Sequence, residues 1–235
     1  MAKPKGYIID KGASPIDGQP YVAILTLEST NRKTGNMAQV WILREDVNPV
    51  EAVQTGKDAT ICGNCPHRKQ QDGTRSCYVN VGQGPNSIWK AYKRGAYSSD
   101  WSYYQLSQIL SDKRIRWGAY GDPSVIDPGI VLTLNRYAQG HTGYTHQWRE
   151  EFASIYAGIF QASCDGFNDY LIATAKGWKT FTVVSKTVRP NYAKQCPATV
   201  DNSEAQCITC KLCDGARSDV FVHAHGTGSK YVLAA

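Results

Sequence analysis

Seven of the eight cysteines in this chain fall into two tight groups that lie far apart in the sequence. The first group, spaced C-x2-C-x11-C, comprises Cys62, Cys65 and Cys77, and the second, spaced C-x10-C-x2-C-x2-C, comprises Cys196, Cys207, Cys210 and Cys213. Two-residue gaps let neighbouring thiolates converge on one ion or one cluster, a geometry that a disulfide does not use. The pattern therefore indicates a metalloprotein.

Chain length argues against a disulfide framework. A chain of 235 residues can bury a substantial core without covalent staples, whereas disulfide frameworks belong mainly to small secreted domains. The N-terminal segment Met-Ala-Lys-Pro-Lys-Gly has no apolar run, so no signal peptide is expected. No apolar stretch is long enough to span a bilayer. We expect a cytoplasmic protein without a membrane partner, in which C-x2-C indicates metal or redox chemistry.

The net charge of +6 permits binding to nucleic acid but does not argue for it, because the basic residues are spread along the chain. One denser patch interleaves basic and aromatic side chains: Trp89, Lys90, Tyr92, Lys93, Arg94 and Tyr97. This patch could stack and attract single strands. An amphipathic helix with a solvated basic face is the interpretation that we favour.

The first half of the chain predicts a hairpin followed by helices. Residues 21–27 and 38–44 are rich in β-forming residues, and the polar segment between them holds Gly35. Residues 86–97 and 101–113 have helical spacing, and Asp100 is placed as an N-cap of the second helix.

From residue 115 onward, predicted strands alternate with predicted helices. The strands are at 115–121, 143–148, 159–163 and 178–184, and the helices at 127–138, 150–157 and 167–175. This alternation indicates parallel β/α units and the α/β class. We expect a partial or complete β/α barrel over residues 1–188, with an open doubly wound sheet as the alternative. Residues 189–235 form a cysteine-rich metal-binding extension with a last strand at 219–225.

The spacing of the second cysteine group favours iron over zinc. Its C-x2-C-x2-C run is typical of bacterial ferredoxins, in which a further cysteine followed by proline completes the ligand set, as Cys196 and Pro197 would here. Zinc ribbons instead offer two separate C-x2-C knuckles. Because both metals accept four thiolates, zinc stays an alternative to a [4Fe-4S] cluster.

The first group offers only three neighbouring cysteines. They could hold a [4Fe-4S] cluster with one open iron, or a fourth ligand could come from Cys164, His67 or an exogenous molecule. With Cys164 as that ligand, two closed clusters would use all eight cysteines, which favours electron transfer or a structural role. Cys164 could equally be an ordinary buried thiol.

Several segments carry a resemblance to a known group. They are Cys62-Gly-Asn-Cys-Pro-His67, Cys77-Tyr-Val-Asn80, Gly118-Ala-Tyr-Gly-Asp-Pro123, Gly143-Tyr-Thr-His-Gln-Trp148 and the terminal cysteine run. Over residues 55–226 the chain resembles a family of cysteine-rich bacteriophage proteins that is distantly similar to the radical-SAM superfamily. A phage-encoded protein would act in the host cell cytoplasm.

The resemblance implies a radical-SAM-like partial barrel with its cluster on Cys62, Cys65 and Cys77. It also implies a site for S-adenosylmethionine near Gly118, Gly121 and Asp122. The chain departs from the superfamily motif C-x3-C-x2-C, and Tyr78 follows the last cysteine of the group rather than preceding it. Cluster ligation therefore carries over better than cleavage of S-adenosylmethionine does. Residues 118–123 could equally be a strand end and turn.

Further polar residues lie at or near predicted strand ends. Tyr144, Thr145 and His146 would face the barrel mouth, where His146 could be a base, a cluster neighbour or a core histidine. Arg149 and Asp165 could bind an anionic or amine group, or form exposed salt bridges.

His223 and His225 form an apolar-His-x-His pattern that occurs in metal-dependent nucleases, but the motif is short and lacks its usual context.

The favoured hypothesis is an iron–sulfur protein with two [4Fe-4S] clusters and a redox role, either electron transfer or radical chemistry. Its redox partner or substrate is not identified, and S-adenosylmethionine is a possible cofactor. The alternatives are a zinc-stabilised module that binds nucleic acid and, less favoured, a nuclease that uses His223 and His225. Whether the chain is an enzyme stays open at this point.

Overall fold

The computed structural model describes residues 4–226 and 228–232. The strands in these ranges are β1 (Gly6–Ala13), β2 (Pro20–Thr26), β3 (Ala38–Arg44), β4 (Ile115–Tyr120), β5 (His141–Thr142), β6 (Tyr144–Thr145), β7 (Gln161–Cys164), β8 (Thr180–Val184), β9 (Lys194–Gln195) and β10 (Val220–His223). The α-helices are α1 (Pro49–Thr55), α2 (Ala59–Cys62), α3 (Gly84–Lys93), α4 (Tyr103–Leu110), α5 (Pro128–Tyr137), α6 (Phe167–Ala175) and α7 (Cys207–Cys210). Short 3-10 helices lie at Pro123–Val125, Glu151–Tyr156, Pro197–Thr199 and Ser229–Tyr231.

The strands form two five-stranded sheets. The first has the order β1-β2-β3-β4-β5, with antiparallel pairing from β1 to β3 and parallel pairing from β3 to β5. The second has the order β6-β7-β8-β10-β9 and is parallel throughout. The class is therefore α/β, as the alternation of strands and helices predicts.

A single extended segment contributes an edge strand to each sheet. Strand β5 ends at Thr142 and β6 begins at Tyr144, so only Gly143 separates them. A Cβ atom at Gly143 would lie 2.5 Å from the ring of Phe160, which explains why a glycine stands there. Within the described residues β1 and β9 remain outer edges, so the sheets do not close into a complete barrel.

The antiparallel pair β2 and β3 confirms the predicted hairpin. Helix α6 has the predicted bounds, and β4, β7, β8 and β10 lie within or next to their predicted ranges. Of the strand expected at 143–148, only Tyr144–Thr145 forms, as β6. Strands β1, β5 and β9 and helices α1, α2 and α7 were not predicted. The helix expected at 150–157 is instead the 3-10 helix Glu151–Tyr156.

The predicted N-cap of α4 is wrong by two residues. Ser102 is the cap, because its hydroxyl accepts the backbone N–H of Gln105 at 3.2 Å while the Gln105 side chain accepts the N–H of Ser102 at 2.9 Å. This reciprocal pair is a capping box, which satisfies two backbone donors that the helix leaves free. Asp100 instead lies in the preceding turn, where its N–H donates to the hydroxyl of Ser98.

We expect Ser102→Ala to lower the free energy of unfolding by about 1 kcal/mol, because the N–H of Gln105 loses its acceptor. Urea denaturation followed by circular dichroism measures the change. Ser107→Ala is the matched control in the same helix, since the Ser107 hydroxyl only donates back to the carbonyl of Tyr104. Equal losses in the two variants would show that the cap contributes nothing of its own.

The C-terminal segment is joined to the body at two places. It supplies β9 and β10 to the second sheet. It also contacts the loop of the β2–β3 hairpin, where the N–H groups of Cys207 and Ile208 donate to the carbonyls of Lys33 and Thr34 at 3.0 and 3.1 Å. The second cysteine group is thereby held against the first sheet.

Among the described residues, no helix combines the length and the apolar character that a bilayer crossing requires. All eight cysteines are free thiols.

Candidate metal centre

One cavity of about 280 Å³ lies against both sheets. Alternate residues of a strand point to the same face, and such residues from both sheets line the cavity: Arg116, Gly118 and Tyr120; Tyr144 and His146; Phe181 and Val183; Val222 and Ala224. Both cysteine groups reach this cavity, the first through Cys62, Cys65 and Cys77 and the second through Cys196 and Cys207. The structure therefore brings the two groups to one internal space.

Helix α2 ends at Cys62, and a turn that requires a glycine follows it. Gly63 has a φ of 55°, in the left-handed region. A Cβ atom there would lie 2.3 Å from the side-chain oxygen of Gln147. The same amide donates to the carbonyl of Cys62 at 3.1 Å. Gln147 therefore packs directly on the backbone that presents the first cysteine.

Arg68 lies in the segment from Cys62 to Cys77, called the cysteine loop here, and ties together the backbone before and after helix α2. Its guanidinium donates to the carbonyl of Gly56 at 2.7 Å and to the carbonyl of Gly63 at 2.9 Å. It also pairs with Asp58 at 2.7 Å, and the Asp58 side chain is almost fully buried. Hydrogen bonds to charged groups are stronger than those between neutral groups, so these contacts around the buried Asp58 restrain the cysteine loop.

Burial and mutual repulsion disfavour free thiolates in the first group. Burial raises the pKa of the Cys62 thiol, and the charges of Cys65, Asp58 and Cys77 raise it further. Burial also raises the pKa of Cys77, against the opposing charge of Arg75. The three thiols thus lie close enough to sense one another. A bound cation would reverse this penalty, because thiolates are the metal-binding form.

The second group shows the same mutual influence. Burial raises the pKa of Cys207 to about 11, although the charge of Arg116 lowers it. Burial raises the pKa of Cys213, and the charges of Cys196, Cys207 and Cys210 contribute. The charges of the four cysteines thus act on one another across the second group.

Cys164 is not brought to either group. It lies on β7 between Ser163, which lines the cavity, and Asp165, so its side chain points to the opposite face. It is fully buried there, and its thiol donates to the carbonyl of Ala162 at 3.5 Å. Burial raises its pKa, followed by the charges of Asp169 and Asp165. The structure thus favours an ordinary buried thiol at this position.

The segment from Gly118 to Asp122 has a backbone conformation that requires glycine at two positions. Both glycines have positive φ, 68° and 79°. A Cβ atom at Gly121 would lie 2.7 Å from both Cβ and the carbonyl oxygen of Ile42. The register of β3 and β4 shifts here, so that extra residues of β4 bulge out of the pairing. Gly118, Gly121 and Asp122 also line the cavity, so a structural role and a binding role fall on the same residues.

The carboxylate of Asp122 is already engaged by the protein. One oxygen accepts the N–H and the hydroxyl of Ser124 at 3.0 and 2.8 Å. The other accepts the backbone N–H of His146 at 2.8 Å. Asp122 therefore positions His146 relative to the cysteine loop.

His67, His146 and Asp165 form a compact cluster beside Cys65. Nε2 of His67 lies 2.8 Å from Oδ1 of Asp165, and Nε2 of His146 lies 3.3 Å from Oδ2. Nε2 of His146 is also 3.9 Å from the sulfur of Cys65. Burial lowers the pKa of His146, but Cys65 and Asp165 raise it well above its ordinary value. Burial raises the pKa of Asp165, yet the two histidines outweigh this effect and lower it.

Arg149 forms a surface ion pair, which is one of the two alternatives that the sequence offers for it. Its guanidinium lies 2.5 Å from Asp169 and 3.8 Å from the ring centre of Trp148. Asp165, by contrast, belongs to the cluster of histidines.

Most of the basic aromatic patch lies on helix α3, and Arg94 and Tyr97 follow the end of the helix. Trp89, Tyr92 and Tyr97 pack against the core, and the hydroxyl of Tyr92 donates to Glu45 at 2.7 Å. Packed rings do not offer free faces for base stacking. The observation weighs against a single-strand surface at this helix.

The two C-terminal histidines have separate surroundings. His223 ends β10, and its Nε2 lies 2.6 Å from Arg189 and 3.0 Å from the carbonyl of Val188. His225 lies beyond the strand, with its ring centre 5.3 Å from that of Tyr78. In the described part of the chain they do not join any group of three potential ligands.

Gln147, Arg68 and Asp58 were not singled out from the sequence, although each holds the cysteine loop. Gly63 within C-G-N-C signals an unusual turn, but nothing in the sequence names the side chain that packs on it. Comparison of the chain with protein-family models, curated proteins and solved structures finds no match.

Proposed function

We propose that this chain is an iron–sulfur protein that holds two [4Fe-4S] clusters. One would bind Cys62, Cys65 and Cys77, and the other the second cysteine group defined above. The proposal extends the resemblance to radical-SAM proteins, in which a partial barrel carries the cluster. Its role would be redox, as electron transfer or radical chemistry on a substrate within the cavity.

The C-x2-C-x2-C spacing of the second cysteine group is the observation that best supports clusters over zinc, and the positions of the sulfur atoms are compatible with it. Across the described residues, no three cysteine sulfurs lie within 4.8 Å of one another, although the thiols of each group sense one another's charge. Four thiolates around one zinc ion, each bonded at about 2.3 Å, would be only about 3.8 Å apart. A cubane cluster bonds each thiolate to a different iron and so needs a wider arrangement.

The location of the first group supports a reactive role for it. The cysteine loop follows β3, Asp122 follows β4, His146 follows β6 and Asp165 follows β7. All these strands belong to parallel pairs, and ligands of α/β proteins bind beyond the carboxyl ends of such strands. With three cysteine ligands, a bound cluster would supply one-electron chemistry and one iron free of protein thiolate.

The second group has four cysteines and no vacant position, which is typical of electron-relay or structural clusters. Arg116 lines the cavity and donates to the hydroxyl of Tyr78, the residue after Cys77, at 3.0 Å. Its charge acts on Cys207. A guanidinium in this position would stabilise an anionic cluster.

Iron and sulfide analysis tests the proposal. Anaerobically purified protein is expected to be brown and to contain iron and acid-labile sulfide in equal amounts, at about eight of each per chain. A colourless protein with stoichiometric zinc would contradict the proposal and favour the zinc-stabilised alternative.

EPR of the reduced protein separates the two redox roles. If the first cluster has an open iron that binds S-adenosylmethionine, we expect the added molecule to change the spectrum. A variant without the first cluster, Cys65→Ser, is expected to show the remaining signal unchanged by the addition. An unaltered spectrum in the unsubstituted protein would restrict the role to electron transfer or structure.

A further inference from the structure

We propose that His67, His146 and Asp165 bind one divalent transition-metal ion, separate from the cysteine groups. Their potential ligand atoms all lie within 4.8 Å of one another. They come from three separate parts of the chain: the cysteine loop, the residue after β6 and the residue after β7. The site does not depend on the cysteines and stands whether those bind iron or zinc.

The contact between His67 and Asp165 is the strongest argument for an ion. Nε2 of His67 and Oδ1 of Asp165 are 2.8 Å apart, which is an ion-pair distance, but neither atom makes a hydrogen bond of regular geometry. Both atoms are fully buried. Buried polar atoms are nearly always satisfied. A cation beside the pair, in contact with both atoms, would satisfy them together.

The surroundings of the His67 ring match those of metal-binding histidines. Such histidines use their second ring nitrogen to bond a neighbouring group, which holds the ring in place. Nδ1 of His67 lies 2.7 Å from the hydroxyl of Ser76. If Nδ1–H donates there, Nε2 carries a lone pair toward the carboxylate, where it is available to a metal. His146 is held through its backbone N–H by Asp122.

The ligand types select the class of ion. Two imidazoles and one carboxylate suit Zn²⁺ or Fe²⁺, whereas Mg²⁺ and Ca²⁺ prefer oxygen ligands alone. Three protein ligands leave at least one position for water or substrate, as in catalytic rather than structural zinc sites. His67 and His146 both line the cavity, so that position would be reached from it. The sulfur of Cys65 is 3.9 Å from Nε2 of His146, which would place the ion beside the first cysteine group.

Metal stoichiometry of the full chain tests the site. Protein dialysed against Zn²⁺ is expected to hold one more zinc per chain than Asp165→Asn or His67→Gln treated in the same way. Iron and acid-labile sulfide are expected to be equal in all of them. His223→Gln is the matched control, because His223 lies outside the cluster and contacts Arg189 instead. Its zinc content should equal that of the unsubstituted protein.

A milder variant guards against simple misfolding. Ser76→Ala removes only the partner of Nδ1 of His67, and we expect it to weaken zinc affinity by about 10- to 100-fold with a normal circular dichroism spectrum. The proposal is overturned if Asp165→Asn retains the same zinc as the unsubstituted protein. It is also overturned if iron and sulfide fall together with the zinc, since the cluster of histidines would then support the cysteine site only.

Discussion

Replacing Cys77 by serine is expected to remove about half of the iron and acid-labile sulfide from the anaerobically purified protein. The first cysteine group has only three members, so the loss of one leaves two thiolates for a whole cluster. The second group keeps all four ligands and its own share of iron. Inductively coupled plasma mass spectrometry and sulfide assay, normalised to protein concentration, measure the loss.

Two companion variants sharpen this result. Cys210→Ser should remove the other half of the iron, and the double variant of Cys77 and Cys210 should be nearly free of it. Cys164→Ser is the control, because Cys164 is buried more deeply than Cys77 or Cys210 and points away from the cavity. Its iron content should be that of the unsubstituted protein. Loss of iron from Cys164→Ser would instead make that residue a ligand and contradict the position of its side chain.

The order of strands and helices was largely predictable, because it depends on local patterns. Helix α6 lies between Gly166 and Gly177, and its composition indicates a helix without any knowledge of its neighbours. Strand β9 was not predictable, because Lys194–Gln195 is short and polar and becomes a strand only by pairing with β10. Closure of the sheets into a barrel is likewise a tertiary property, which alternation alone does not decide.

The cysteine groups were predictable from spacing, whereas the histidine cluster was not. Ligands separated by two residues are close in any fold. By contrast, His146 and Asp165 meet through the pairing of β6 with β7, and His67 joins them from the segment between Cys65 and Cys77. Whether the Cys164 side chain faces the cavity depends on the exact bounds and register of β7. A strand predicted to end at Ser163 does not define the face of Cys164, and a shift of one residue exchanges the two faces.

The sequence does not decide why glycines stand at positions 118 and 121. A ligand-binding motif and a turn that lacks space for a side chain would both require glycine there. We expect Gly121→Ala to lower the free energy of unfolding by about 2–5 kcal/mol. About 1–2 kcal/mol of this comes from the left-handed backbone. About 1–3 kcal/mol comes from the contact of the new methyl group with Ile42, 2.7 Å away. Urea denaturation of the reduced protein measures the total.

Gly177→Ala isolates the second contribution. Gly177 has a φ of 82°, close to the 79° of Gly121, but a Cβ atom there would meet nothing within 4 Å. Its substitution should therefore cost only the backbone contribution of about 1–2 kcal/mol. Gly121 also precedes Asp122, whose N–H donates to the carbonyl of Ile61 beside the first cysteine. Displacement at Gly121 should accordingly reduce iron incorporation as well, whereas Gly177→Ala should not. Equal destabilisation in both variants would mean that Ile42 yields to the methyl group, and the backbone conformation alone would then explain the glycine at 121.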